Sequence, residues 1–155
     1  MTHHPTMTVP DFEWDTTSEH CEDEAFQLMR TMWDVVKAKE ILRQDEREII
    51  KIGIEGLADY VGNPPGPDGK RKLQMMMISV DWDAILEDVQ QHVGRFDLSI
   101  PIIAITKVLT SPPHEGQTSL FIIDGWHRIA KAKMLGLEYL PGVVLTVEES
   151  NSILC

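Results

Sequence analysis

The sequence predicts an α+β protein in which a helical hairpin precedes a domain built from strands and helices. Between residues 22 and 61, apolar residues recur at three- and four-residue steps, as they do on one face of a helix. From residue 73 onward, apolar runs typical of buried strands alternate with helical patterns in the order strand, helix, strand, strand, helix, strand. A chain of 155 residues has room for one such domain and an appendage.

Composition favours a soluble protein that acts away from membranes. The chain is 43% hydrophobic and 25% charged, and no apolar run approaches the roughly 18 residues that a membrane helix needs. Its first residues have neither the basic start nor the apolar core of a signal peptide. Cys21 and Cys155 lie near opposite ends of the chain and predict no disulfide framework. We therefore expect a cytoplasmic protein.

The net charge of −11 restricts the partners that the protein can bind. The acidic excess lies mostly in the first 69 residues. An acidic protein repels the phosphate backbone of nucleic acids unless it concentrates basic side chains in one place. The charge therefore argues against general nucleic-acid binding, but it does not exclude a local site for an anion.

The N-terminal half predicts a flexible arm, a helical hairpin and a linker. Residues 1–21 lack periodicity, and their histidines match no zinc-binding spacing. Residues 22–61 predict two helices, the second from about Asp45 to Tyr60, and the hairpin serves either for packing or for binding a protein partner. The first helix is predicted from apolar residues at helical spacing: Ala25, Phe26, Met29, Met32, Trp33 and Val36.

Residues 62–72 contain the prolines and glycines of a linker, and the domain is expected to span residues 73–155. The linker ends in the basic triplet 70–72, which is either solvated or in contact with a phosphate. In the domain, "LQMMMISV" (73–80) predicts a buried strand, and Asp81 then caps a helix that ends at Gly94. "SIPIIAITKVL" (99–109) predicts a second strand, joined by a polar turn to "LFIID" (120–124) as a hairpin.

The most informative stretch is "FIIDGWHRIAKAKMLGLEYLPGVV" (121–144). A strand ends at Ile123 or Asp124, Gly125 permits a sharp reversal, and a helix follows. The opening N–H groups of a helix have no acceptor within it, and they attract anions. His127 adds a hydrogen-bond or proton donor, whereas Arg128 adds a planar fork that suits phosphate.

Lys131 adds a further positive charge near the helix start, where the helix dipole makes cations unfavourable. Two interpretations stay open from the residues alone. In one, the turn binds a negatively charged ligand. In the other, Asp124 pairs with Arg128 in a structural salt bridge, and His127 is a buried core residue.

The same stretch resembles the ParB/sulfiredoxin-like superfamily, which includes the N-terminal nuclease-like domain of ParB. The shared features are a strand ending in Asp-Gly, a G-x-x-R turn, an alanine-rich helix, a Leu-Gly-Leu end and a Leu-Pro pair opening the last strand. "MMISVDWDAI" (76–85) and "SIPIIAI" (99–105) look like the earlier strands of that fold. The resemblance covers residues 73–147, and it implies a mixed sheet with packed helices that binds nucleotide phosphates at the turn.

The D-G-x-H-R turn is most similar to the free-serine-kinase-like and plasmid fertility-inhibition branches. Gly125 matches the motif glycine, and His127 with Arg128 matches the His-Arg pair of the sulfiredoxin and serine-kinase branches. Asp124 matches the aspartate of the serine-kinase-like form. Trp126 replaces the catalytic cysteine of sulfiredoxins, which argues against sulfinic-acid reduction. Partition proteins have Glu-Arg where this chain has Trp126-His127, which leaves centromere binding without support.

The resemblance implies a protein that binds ATP or CTP with Mg²⁺ and slowly hydrolyses the nucleotide or transfers a phosphoryl group. The expected catalytic residues are Asp124 and His127, with Asp124 also as the metal ligand. The expected phosphate- and nucleotide-binding residues are Gly125, Trp126, His127, Arg128 and Lys131.

Three further alternatives remain from the sequence. Glu87 and Asp88, both expected at exposed helix positions, are candidates for the catalytic carboxylate that the kinase branch requires. The chain is alternatively a metal-dependent DNase of the ParB-like type. It is otherwise a non-enzymatic module that interferes with plasmids or phages through the acidic residues 22–61.

Overall fold

A computed structural model describes residues 25–28, 31–62, 64 and 78–155. Those residues combine strands and helices, so the predicted α+β class is confirmed. In chain order the elements are β1 Ala25–Leu28, β2 Thr31–Asp34, α1 Val35–Gln44, β3 Ile50–Gly53, α2 Glu55–Ala58, a 3-10 turn Asp59–Val61, α3 Trp82–Gln91, β4 Ile102–Val108, β5 Thr118–Asp124, α4 Trp126–Met134, β6 Tyr139–Val144 and α5 Val147–Ser152.

The larger sheet has four strands in the order β3-β6-β4-β5. β4 pairs antiparallel with β5, from Val108 opposite Thr118 to Ile103 opposite Asp124. β4 also pairs parallel with β6, where Ile102 lies opposite Gly142. The sheet is therefore mixed, and the predicted hairpin between the second and third strands of the domain is confirmed.

The predicted helix from residue 22 is wrong where the chain is described. Ala25–Leu28 and Thr31–Asp34 are antiparallel strands, with Ala25 opposite Asp34, and the helix begins only at Val35. Asp34 decides this start, because its carboxylate accepts a hydrogen bond from the backbone N–H of Lys37 at 3.0 Å. Short apolar runs do not distinguish helix from strand by spacing alone, which explains the error.

The predicted helix from Asp45 to Tyr60 is also wrong. This region contains strand β3, the four-residue helix α2 and the 3-10 turn. The β-branched Ile50 and Ile52 favour a strand, and Gly53 and Gly56 weaken a helix. Pairing of β3 beside β6 in the sheet then settles the conformation.

Several sequence expectations fall outside the described residues. They are the arm at residues 1–21, residues 22–24, 29 and 30 of the predicted hairpin, residues 63 and 65–72 of the linker, and residues 73–77 of the predicted strand. Ile78–Val80, which end that predicted strand, are not in strand conformation. The helix capped by Asp81 is confirmed, but it ends at Gln91, and His92 takes the left-handed conformation with φ 52° before Gly94 is reached.

The chain divides into two compact units, each with its own buried cluster. Unit one comprises the described part of Met1–Ile50 together with Ile102–Asp124 and Gly142–Cys155, and unit two comprises the described part of Lys51–Pro101 together with Gly125–Pro141. The cluster of unit one contains Trp33, Val35, Ala38, Leu42, Ile49, Ile103, Ile105, Ile123, Val143, Leu145 and Ile153. The cluster of unit two contains Val61, Val80, Trp82, Ile85 and Ala130.

Cys155 is disulfide-bonded, which corrects the expectation that the two cysteines form no disulfide. Cys21 lies outside the described residues. Cysteine use therefore gives no support to a reducing compartment. Among the described residues, no helix has both the length and the apolar character needed to cross a membrane.

In unit one, Glu149 ties helix α5 to the segment before β3. Its carboxylate accepts hydrogen bonds from both terminal guanidinium nitrogens of Arg47, and the Nη1 bond measures 2.7 Å. It also completes a capping box with Thr146, since the side chain of each accepts the backbone N–H of the other, at 3.0 and 3.2 Å. The Arg47 bond is the main reason that the pKa of Glu149 falls to about 2.

Glu149→Ala is expected to lower the free energy of unfolding by about 2 kcal/mol, because it removes both the charge-assisted pair and half of the capping box. Urea unfolding of the variant measures the loss. The matched control is Glu148→Ala, since Glu148 is exposed in the first turn of the same helix. Equal stability of the two variants would contradict the assignment.

Candidate functional site

The turn between β5 and α4 has the local geometry that the sequence predicts. β5 ends at Asp124, and Gly125 precedes the helix with φ 110° and ψ 15°, a backbone conformation that side chains with a Cβ rarely adopt. The first α-helical bond runs from the N–H of Ile129 to the carbonyl of Gly125 at 3.0 Å. The N–H groups of residues 126–128 therefore have no acceptor inside the helix. No acidic residue lies in this first turn.

Arg128 is held by the segment that leads into β4. Its Nη1 donates hydrogen bonds to the backbone carbonyls of Ile100, at 2.6 Å, and Pro101, at 3.0 Å. Both bonds start from one guanidinium nitrogen. They anchor this end of the guanidinium group to the backbone before β4.

His127 connects the beginnings of two helices. Its Nε2 accepts the backbone N–H of Asp81 at 3.1 Å, and its ring stacks on Phe96 with centroids 5.1 Å apart. The side chain of Asp81 in turn caps α3 through the N–H of Ala84 at 3.0 Å. An Nε2 that accepts a hydrogen bond carries no proton, so the ring is in the Nδ1–H form. Nε2 is therefore not a proton donor in this arrangement.

Trp126, which the resemblance predicts to contact the nucleotide, lies beside the buried cluster of unit two. It is half-buried and packs against the cluster of unit two, as expected of a core residue. Its ring also meets Tyr60 edge-on, with centroids 6.1 Å apart and planes at 75°. Tyr60 is 42% exposed, so this aromatic pair reaches solvent through Tyr60.

Asp88 and Lys131 form a buried structural pair. Asp88 is only 2% exposed, which corrects the expectation of an exposed helix position; Glu87 is exposed as expected. The Asp88 carboxylate accepts bonds from Lys131 Nζ at 2.7 Å and from the backbone N–H groups of Arg95 and Phe96 at 2.9 and 3.0 Å. The Lys131 bond is the main reason that the pKa of Asp88 falls to about 2.

Lys131 donates a further bond to the carbonyl of Phe96 at 2.8 Å. Its ammonium group is thus bound by a carboxylate and a carbonyl of the protein itself, and it stabilises the segment after α3. Lys131 lies in the last turn of α4, which corrects the expectation that it lies near the helix start, and both of these bonds are within unit two.

Asp124, the expected metal ligand, is the last residue of β5 and lies opposite Ile103 in the sheet. In the described ranges, no group of three or more His, Cys, Asp and Glu side chains is arranged to hold a metal ion. A Mg²⁺ ion bound together with nucleotide phosphates needs only one or two carboxylates. Asp124 fits that smaller requirement by its chemistry.

Sequence reasoning missed Tyr60 and Phe96, because aromatic residues so distant in sequence give no local sign that they meet Trp126 and His127. It also missed Trp82, a buried residue of the unit-two cluster that is 2% exposed. Its indole Nε1 has no hydrogen-bond partner within the described chain. Leaving such a donor unpaired is costly, at about 1 to 3 kcal/mol.

Comparison with protein-family models, curated proteins and solved structures finds no match to this chain. The resemblance to the ParB/sulfiredoxin-like superfamily therefore stays a prediction, and the function is argued from the turn itself.

Proposed function

We propose that the chain binds a nucleoside triphosphate, ATP or CTP, through the turn that starts α4, and that it slowly hydrolyses the nucleotide or transfers its phosphoryl group. The observation that carries the proposal is the turn itself. Left-handed Gly125 opens a nine-residue helix whose first turn contains His127 and Arg128 and no acidic residue. That combination favours a negatively charged ligand over a positively charged one.

In this proposal the phosphates lie against the first turn of α4. Backbone N–H groups there point along the helix axis, and Arg128 supplies the positive charge that phosphoryl transfer requires near the transferring oxygens. The carbonyls of Ile100 and Pro101 hold Arg128 in advance, which reduces the entropy lost when a ligand binds. His127 acts as a positioning residue, because it joins the start of α3 to the start of α4.

The aromatic residues favour a nucleotide over inorganic phosphate. Trp126 is the first residue of the helix, and its partner Tyr60 presents a ring that is 42% exposed. Aromatic side chains stack on nucleobases with a typical contribution of about 1 to 3 kcal/mol per base. We assign the base to this pair, on the Tyr60 side.

Mg²⁺, when bound with the nucleotide, supplies charge that neutralises the phosphate oxygens. Asp124 is the carboxylate that directly precedes the turn in the chain, and we propose it as the metal ligand. Lys131 is omitted from the phosphate contacts, since its ammonium group is bonded to Asp88 and Phe96.

Binding of ATP and CTP, measured by titration calorimetry in the presence of Mg²⁺, tests the proposal. Arg128→Gln is expected to weaken binding at least about tenfold, because charge-assisted hydrogen bonds to phosphate are lost. Arg128→Lys is expected to recover only part of the affinity, since lysine keeps the charge but lacks the planar fork. Phosphate release by the wild type should exceed that by Arg128→Gln.

The matched control is Arg43→Gln, which makes the same change of charge at an exposed position of α1. It should bind nucleotide as the wild type does. Absence of nucleotide binding by the wild type, or equal affinity in Arg128→Gln with its fold intact by circular dichroism, would refute the proposed function.

A further inference from the structure

Unit two contains a groove of about 640 Å³, and no residue of the turn that starts α4 lines it. One wall comes from the end of β3 and from α2, and the other from the end of α4 and the link to β6. The volume is in the usual range of ligand-binding clefts, about 300 to 1,000 Å³. The lining residues are Gly53, Ile54, Glu55, Ala58, Asp59, Lys133, Gly136, Leu137, Glu138 and Tyr139.

The groove exposes large apolar side chains. Leu137 is 44% exposed and Tyr139 is 55% exposed. The Tyr139 ring lies against Gly53, where an added Cβ would be 3.8 Å from Cε1. An added Cβ at Gly136 would meet nothing within 4 Å, so the wall is open there. When a partner covers apolar surface of this kind, the free energy falls, so binding is favoured.

The charges of the groove are predominantly negative. Glu55, Asp59 and Glu138 are all exposed, and within the described residues none of them forms an ion pair or a side-chain hydrogen bond. Lys133 is the cation of the lining, and its Nζ donates to the backbone carbonyls of Gly62, at 2.7 Å, and Ala58, at 3.4 Å. Lys133 therefore neutralises helix-end carbonyls rather than the three carboxylates.

We propose that this groove binds a short cationic segment of a partner protein, in which Lys or Arg residues alternate with apolar ones. The carboxylates on both walls complement the basic side chains, and Leu137 and Tyr139 receive the apolar ones. The net charge of −11 adds a long-range attraction for a basic partner. The proposal is independent of nucleotide binding.

Fluorescence anisotropy with two labelled ten-residue peptides of equal charge tests it: one alternates Arg with Leu, and the other alternates Arg with Gly. The full chain is expected to bind the Arg-Leu peptide at least about tenfold more tightly, because only this peptide covers the apolar walls. The triple variant Glu55→Gln, Asp59→Asn, Glu138→Gln should weaken that binding about tenfold, since three exposed ion pairs of modest individual strength are lost together. Added salt should weaken binding to the wild type.

The matched control is Asp83→Asn, Glu87→Gln, Glu115→Gln, which removes the same charge from exposed positions outside the groove. It should bind like the wild type. Equal weakening in the two triple variants, equal affinity for the two peptides, or full competition by spermine would overturn the proposal. So would binding that develops only after Lys70, Arg71 and Lys72 are replaced by alanine, since that result would assign the groove to the chain's own basic triplet.

Discussion

Lys131→Met is expected to lower the urea midpoint of unfolding by about 1 M or more. The substitution keeps the length of the side chain but leaves the Asp88 carboxylate buried without its cation. The two backbone N–H groups of Arg95 and Phe96 still donate to that carboxylate, but they carry no compensating charge. Removal of one partner from a buried ion pair is among the most destabilising single changes.

Lys37→Met is the matched control, because Lys37 is an exposed helical lysine on α1. Its midpoint should stay close to that of the wild type. A double-mutant cycle with Asp88→Asn provides the second measurement. The double variant should lose less stability than the two single variants lose together, since both changes remove the same interaction. A Lys131→Met midpoint equal to that of Lys37→Met would contradict the structural role of the pair.

The pH dependence of stability follows from the same pair. The pKa of Asp88 in the folded chain is about 2, below its ordinary value of 3.8, chiefly because of the Lys131 bond. A lowered pKa contributes stability that is complete above the ordinary value and is lost as the pH falls through the folded value. Urea midpoints should therefore fall between about pH 4 and pH 2, and Glu149 contributes over a similar window. Asp88→Asn should flatten this part of the profile; an unchanged profile would argue against the assignment.

Gly125→Ala is expected to lower the free energy of unfolding by about 1 to 3 kcal/mol. At φ 110° a Cβ collides with the neighbouring backbone, so the alanine variant must strain the turn or shift the start of α4. A shifted turn also displaces the first N–H groups of the helix. The variant should therefore lose nucleotide affinity at least about tenfold if the proposed function is correct.

Gly56→Ala separates this effect from the general consequence of replacing a glycine. Gly56 lies in helix α2, and an added Cβ there would meet nothing within 4 Å. Alanine is expected to be neutral or to stabilise by up to about 1 kcal/mol at that position. Loss of stability in Gly56→Ala, or no loss in Gly125→Ala, would contradict the claim that a Cβ at Gly125 strains the turn.

The sequence predicted correctly where strong local signals agree. Asp81 caps α3, alternation and continuity of apolar residues mark β4 and β5, and Gly125 stands where the chain reverses into α4. It failed at residues 25–34 and 50–61, where short apolar runs fit both a helix and a strand. Pairing of β1 with its neighbour β2 and the cap at Asp34 decided the first region, and pairing of β3 with the distant strand β6 decided the second.

The sequence by itself determined the α+β class, the glycine turn and the basic character of the first turn of α4, because each depends on residues close together in the chain. Tertiary structure alone decided what the basic side chains contact. Lys131 meets Asp88 from 43 positions away, and Arg128 meets Ile100 from 28. Contacts of that kind arise from the packing of whole elements, and no local pattern of residue types specifies them.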